Sequence, residues 1–405
     1  MERRVVVTGI GVVSALGRNA CEFWDALTKG ECGIRPIKQL DMTDVKFKNG
    51  AEVPGWNPQE HFEGKQADFL DRFAQFAVVA AREAVKDSGV EWNPTLRERT
   101  GIVTGSCVGG KESEDIGYQD LYLRKRGRLS PLTVPRVMAN AGASHISIEM
   151  GVTGPAFTLS TACSSGNHAI GQAYRMVRSG DVEMALAGGS EAPLTFGHLK
   201  AWEALRVVAP DTCRPFSADR LGMVLGEAGA ILVLEPREAA IARGAKIYGE
   251  IVGFGMSSDA HHLTQSASDG AARAIQGALR DADLSPDQIG YINAHGTATL
   301  LNDPMEVVAI RISLGKHAER VPISSTKSMH GHTLGAAGAI EAIATLLALR
   351  NCTLPPTANF TKPDPHCDLD VIPNTARKVE VEYALSNSFA FGGLNAVLAF
   401  RAPRN

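Results

Sequence analysis

Two stretches, "AAREAVKDSGVEWNPTLRERTGIVTGS" (residues 80–106) and "AIQGALRDADLSPDQIGYINAHGT" (residues 274–297), share one plan. Each reads as a helix, a turn and a strand that ends in small or polar residues. Each follows another strand with a glycine-rich exit, "VVVTGIGVVSALG" (5–17) before the first and "YGEIVGFGMSSDA" (248–260) before the second. The pattern indicates two fused copies of one α/β unit, joined near "IARGAK" (241–246), which divides the chain into residues 1–246 and 247–405. In open α/β sheets, sites gather beyond the carboxyl ends of strands, so those exits are where chemistry is sought.

Composition narrows the class. A chain of 405 residues that is 44% hydrophobic supplies one large or two medium cores. A formal net charge of −3 without a long basic run argues against a nucleic-acid binder. The seven cysteines lack CxxC spacing and an even count, which indicates neither a zinc site nor a disulfide framework and fits a reducing, cytoplasmic setting. The start, "MERRVVVTGIGVVSALG", is interrupted by glycines and lacks a cleavage pattern, so it reads as a buried first strand instead of a signal peptide. No apolar run is long enough to span a bilayer.

Three exits carry candidate chemistry. In "TACSSG" (161–166), a strand ends at Cys163 and a helix opens with Ala169, Ile170, Ala173, Met176 and Val177 at helical spacing. A helix N-terminus favours thiolate over thiol, while Ser164, Ser165 and Gly166 leave room for close approach. A free cysteine is more often a buried structural residue, and Cys163 alone leaves both readings open. His295 at the exit of "IGYINAHG" (289–296) and Lys327 and His332 in "PISSTKSMHGHTLGAAGAIEA" (322–342) favour the nucleophile, because a thiolate enzyme needs partners that meet only in the fold. Two histidines and a lysine exceed what a Cys–His hydrolase requires, which points to chemistry in which a second negative charge develops. In "ALSNSFAFGGLNAVLAF" (384–400), Phe389 and Phe391 stand at a glycine-rich hairpin where they can wall an apolar channel. "GIGVVS" is only half a dinucleotide fingerprint, and "DAHH" (259–262) reads as a turn, not a metal site.

These motifs, in this order and spread over nearly the whole chain, resemble the β-ketoacyl-[acyl-carrier-protein] synthases, in form the elongating type I and II enzymes. The resemblance implies a duplicated thiolase fold in five layers, α-β-α-β-α, a homodimer, no cofactor and a decarboxylative Claisen condensation in fatty-acid elongation. Carried over residue by residue, Cys163 takes an acyl group from acyl carrier protein, and the N–H groups of Cys163 and Phe391 form an oxyanion hole. His295 and His332 hold the enolate formed when malonyl-carrier protein loses CO2, and Lys327 tunes them. Asp303 and Glu306 resemble the family's supporting network, and Thr297 and Thr299 would hold the phosphopantetheine arm. Val108 in "GSCVGG" falls at the acyl-pocket position that influences chain length, and Phe389 and Phe391 border the substrate. A structural monovalent cation is implied at Asn302, Glu341, Ser386 and Asn387, with no catalytic metal. Lys65 and Arg72, in "GKQADFLDRFAQ" (64–75), are expected to dock the acidic carrier protein.

Three departures leave room for a specialised polyketide or nodulation-type ketosynthase. His330 stands where Thr or Ile is usual, "ALRVVAPDTCRPFS" (204–217) is short, and Ala390 replaces a glycine. A silent subunit of a heterodimeric synthase is disfavoured by Cys163, and a thiolase by the loop-like setting of Cys352 and Cys367.

Overall fold

The computed structural model describes residues 3–403, and the duplication is written into its sheet. Ten strands are β1 (Val5–Ser14), β2 (Thr100–Gly105), β3 (Ala156–Leu159), β4 (Met184–Glu191), β5 (Ala228–Pro236), β6 (Gly249–Ser258), β7 (Ile289–Asn293), β8 (Ile323–Ser324), β9 (Tyr383–Ala390) and β10 (Leu394–Arg401). Their order is β8-β7-β9-β10-β6-β1-β5-β4-β2-β3. Within each half the first strand pairs with the fifth, the fifth with the fourth, the fourth with the second and the second with the third. The directions repeat as well: antiparallel, antiparallel, parallel, parallel in both copies. The halves are stitched together by a short antiparallel ladder from Val5↔Ile251 to Val7↔Gly249.

Helices complete the layers. Helix α1 (Arg72–Ser88) covers β1 and β5 from outside, and α3 (Ser268–Asp281) covers β6 and β10 in the same way. Between the two half-sheets lie α2 (Ser165–Ser179) and α4 (Ala337–Arg350), each touching strands of both halves. Every residue of α4 from Ala337 to Leu349 is buried, as its almost wholly apolar sequence requires; the exceptions are Thr345 and Glu341, which pairs with Lys327. The result is the five-layered thiolase-type arrangement expected from the sequence.

The glycine pairs have a different job from the one read in the sequence. Gly9 and Gly11 lie inside β1, not at its exit, and Gly253 and Gly255 lie inside β6. A Cβ at Gly9 or Gly11 would stand 2.1 or 2.0 Å from the carbonyls of Ala84 and Ala80 on α1. At Gly253 or Gly255 it would stand 2.4 or 2.1 Å from those of Ala278 and Ala274 on α3. The repeated GxG therefore lets an alanine-faced outer helix lie directly on the first strand of each half, one solution used twice. Among the described residues, no helix is long and apolar enough to cross a membrane.

Candidate active site

Cys163 sits in a tight elbow between β3 and α2. Ala162 takes a left-handed backbone (φ 51°), which is unfavourable for a residue with a Cβ, and the turn is held by local bonds. Ser165 Oγ accepts the Thr161 N–H at 2.9 Å and donates to the Ala162 carbonyl at 2.6 Å. Gly166 serves packing, not ligand approach: its Cβ would meet the Ala339 nitrogen at 2.7 Å, so α2 rests directly on α4.

Cys163 is 6% exposed, and the backbone N–H groups of Phe391 and of Cys163 itself lie near enough to favour its thiolate. Burial pushes the thiol up to about 11, opposed by the charge of Lys327 and by those two N–H groups. The thiolate expected from the helix N-terminus is therefore not the resting form. Cys163 precedes the N-cap, Ser164, and lies one step outside the first turn.

The imidazoles are held by backbone contacts. Glu306 accepts the N–H groups of His295 and Gly296 at 2.8 and 2.7 Å, and Asp303 accepts those of Ala298 and Phe216 at 3.1 and 2.7 Å. Both carboxylates are buried, so they clamp the loop after β7. The His332 N–H donates to the Val224 carbonyl at 2.6 Å, and its Nδ1 accepts the Leu334 N–H at 3.2 Å. That bond fixes the proton on Nε2 and makes the outer nitrogen a donor. The rings of His295 and His332 meet edge-on with centroids 5.4 Å apart, and Phe389 packs 6.0 Å from His295. Burial, then the charge of Lys327, holds both histidines well below the ordinary imidazole range. Lys327 is fully buried and donates to Glu341 at 2.5 Å. Two neutral imidazoles beside a fixed ammonium can hydrogen-bond a developing oxyanion without acting as acids themselves.

Cys163, His295, His332, Thr297, Thr299, Phe389 and Phe391 all line one cavity of about 330 Å³. The hydroxyls of Thr297 and Thr299 lie 3.1 Å apart at its polar side. Other expectations are corrected. The Arg72 side chain is 11% exposed and locked to Glu227 by two hydrogen bonds, so it cannot dock a carrier protein; Lys65 is exposed. Val108 does not line the cavity. The implied cation residues divide. Glu341 Oε2, Ser386 Oγ and Asn387 Oδ1 are buried oxygens without a hydrogen-bond partner, whereas Asn302 lines the cavity with its amide on Asp303. His330 does not reach the site: its ring nitrogens engage Gly331 O and Thr326 Oγ1 at 2.8 and 3.0 Å, and it ties together the turn that carries Lys327 and His332.

Reading the sequence missed Trp202, Met223 and the Thr264–Ser266 segment, all on the cavity wall. Thr264 to Ser266 belong to the loop opened by "DAHH". There Asp259 bonds Ala267 N–H and Asn395, while Gly392 N–H reaches Leu263 O, which ties this loop to the Phe391 hairpin. Glu191 was missed too; it accepts from Cys107 N, Val108 N, Gly335 N and Ser106 Oγ, and burial pushes it up to about 7.

A buried cysteine under two N–H donors, with two histidines and a lysine opposite, on a duplicated thiolase fold, defines a condensing enzyme. Residues 2–240 match the N-terminal domain of the β-ketoacyl synthases and residues 248–361 their C-terminal domain, and the chain belongs to that family. It is 46% identical over 401 residues to nodulation protein E of Rhizobium leguminosarum bv. trifolii, covering 99% of this chain and 100% of that one. It is 41% identical over 406 residues to 3-oxoacyl-[acyl-carrier-protein] synthase 2 of Staphylococcus aureus, covering 98% of each. The ishigamide ketosynthase/chain length factor structure superposes with a TM-score of 0.95 at 38% identity, covering 100% of both chains.

Proposed function

We propose that the enzyme condenses an acyl group held on Cys163 with malonyl-[acyl-carrier-protein] to give 3-oxoacyl-[acyl-carrier-protein]. In the first half-reaction Cys163 Sγ bonds the acyl carbon of acyl-carrier protein, the carrier thioester breaks, and the Cys163 proton leaves with the carrier sulfur. The Cys163 and Phe391 N–H groups take the oxyanion, and Thr297 and Thr299 hold the arm. In the second, malonyl-carrier protein loses CO2, and His295 and His332 hydrogen-bond the enolate oxygen. The enolate carbon bonds the acyl carbon, the bond from that carbon to Cys163 Sγ breaks, and the released thiolate takes a proton from water. Burial, helped by Lys327, keeps both imidazoles neutral, while Asp303 and Glu306 hold the His295 loop. The observation that carries this reading is the His332 proton fixed on Nε2 in the cavity that holds the Cys163 thiol.

The pathway we favour is fatty-acid elongation, in line with the synthase 2 likeness; the equally extensive likeness to nodulation protein E supports a specialised acyl product as the second reading. The edge strand β3 and its surroundings expose Phe157, Ile148, Val134 and Leu123, a face suited to a second copy in a homodimer. Residues 1–246 and 247–405 are taken as the two units. A cytoplasmic location, Lys65 as a carrier contact, and a monovalent cation among Glu341, Ser386 and Asn387 complete the proposal. The test is intact-mass detection of acyl-Cys163 after mixing with acyl-carrier protein, followed by product on adding malonyl-carrier protein. An unmodified Cys163 would refute it.

A further inference from the structure

The helix Phe196–Leu205 carries two side chains, one turn apart, that the proposed reaction leaves unused. Trp202 faces the catalytic cavity and stacks on Phe391 with centroids 6.1 Å apart and planes 29° apart. Its indole Nε1–H donates to His198 Nε2 at 2.8 Å, so His198 carries its own proton on Nδ1. His198 faces away, into a second hollow of about 310 Å³ lined with Lys111, Glu114, Asp115 and Tyr118. The pair stands between the two spaces. Burial, then Lys111, pushes His198 down to about 4, so its Nε2 remains an acceptor at neutral pH.

On the near side Trp202 belongs, with Leu194, Leu199, Leu334, Ala390 and Cys163, to one apolar cluster around the thiol, so the indole is part of the wall that an acyl chain on Cys163 meets. On the far side the charged lining offers an alkyl chain nothing to bury against. A tryptophan without a partner for its N–H could swing away as a chain lengthened. Tied to His198, it gives up a hydrogen bond in a water-poor setting when it moves.

We propose that Trp202, pinned by His198, is the stop that limits the length of acyl chain Cys163 accepts. This rests on the condensation reading above and concerns the acyl side of the same cavity. Trp202 acts by filling space against the substrate, and His198 is a positioning residue that acts through it.

The test is the rate of Cys163 acylation, read by intact mass, along a ladder of acyl-carrier proteins from butyryl to myristoyl. Three variants are compared with the parent enzyme: Trp202→Ala, His198→Leu and His198→Gln. Trp202→Ala raises the long-to-short rate ratio by about tenfold or more, the scale on which apolar pockets discriminate by size. His198→Leu raises it less, because the ring is freed but still present. His198→Gln supplies another acceptor and keeps the parent ratio, which a merely volume-filling role for His198 does not predict. Malonyl decarboxylation, measured in parallel, reports that each variant has folded around its histidines. A ratio unchanged in both Trp202→Ala and His198→Leu, or raised equally by His198→Gln and His198→Leu, overturns the stop. A parent enzyme that takes no acyl group of any length overturns the condensation reading instead.

Discussion

The exits of the third strand in each half start from the same topological position and end in opposite chemistry. After β3 the chain turns in a few residues, strains Ala162 and presents a thiol before α2 begins. After β8 it wanders from Ser325 to Ala336, burying Lys327 and His332 before α4 begins. Short and strained places a nucleophile; long and clamped places fixed donors. The second-strand exits diverge in the same way. Cys107 and Val108 after β2 are gathered by Glu191, and His295 after β7 is gathered by Glu306. One half thus supplies the group that changes its bonds, and the other supplies groups that must not move.

If that division is right, the halves can be disabled separately. Cys163→Ala abolishes condensation, the largest effect expected, yet malonyl decarboxylation persists because both imidazoles remain. His332→Ala removes one oxyanion donor and lowers decarboxylation by about 10²–10³-fold, while Cys163 still acquires an acyl group. Product assays for CO2 and intact mass for acyl-Cys163 separate the outcomes. Loss of both activities in folded Cys163→Ala breaks the comparison.

The clamped side owes its neutral histidines partly to Lys327. Lys327→Met alone leaves Glu341 buried without its cation, so the informative variant is Lys327→Met with Glu341→Gln. Removing the positive charge lets the imidazole range rise. Protonation, which occurs below the imidazole pKa, then sets in at higher pH, and the acid limb of decarboxylation moves upward. A pH–rate profile that stays in place shows burial alone keeps the histidines neutral.

The duplication and the catalytic set were legible because they depend on residue type and order. A cysteine before a small-residue helix and a histidine after a strand survive as local patterns. What was not legible depends on distant contacts. Gly9 and Gly11 look like turn glycines until Ala80 and Ala84 are laid on them. Arg72 looks like one charge on an amphipathic face, but its partner, Glu227, lies 155 residues away. Trp202 carries no motif at all; only the folded cavity makes it a wall.

Arg72 tests that lesson. Arg72→Ala leaves Glu227, whose side chain is fully buried, without its cation and costs about 3–5 kcal/mol of stability, measured by chemical denaturation. Lys65→Glu leaves stability nearly unchanged and raises KM for carrier-bound substrate, most visibly at low salt. The opposite pattern would return Arg72 to the docking surface.

The smallest effect expected lies at Ala390, between the two phenylalanines of the hairpin. A glycine at this position, which Ala390 replaces, could have taken a left-handed backbone. Instead, Ala390 ends β9 paired with Leu394 outside the positive-φ region, and the turn is made by Gly392 and Gly393 at φ 83° and 69°. Alanine therefore costs nothing here while Phe391 stands over Cys163. It restrains only a movement that would carry residue 390 into backbone space where a Cβ is penalised. Ala390→Gly removes that restraint and widens the unfolded ensemble, so it lowers stability by about 0.5–1 kcal/mol and speeds acyl transfer to Cys163. Denaturation midpoints give the first quantity, and stopped-flow acylation with one acyl-carrier protein gives the second. If stability falls and acylation does not quicken, the hairpin opens entirely through Gly392 and Gly393, and Ala390 belongs to the packing of β9.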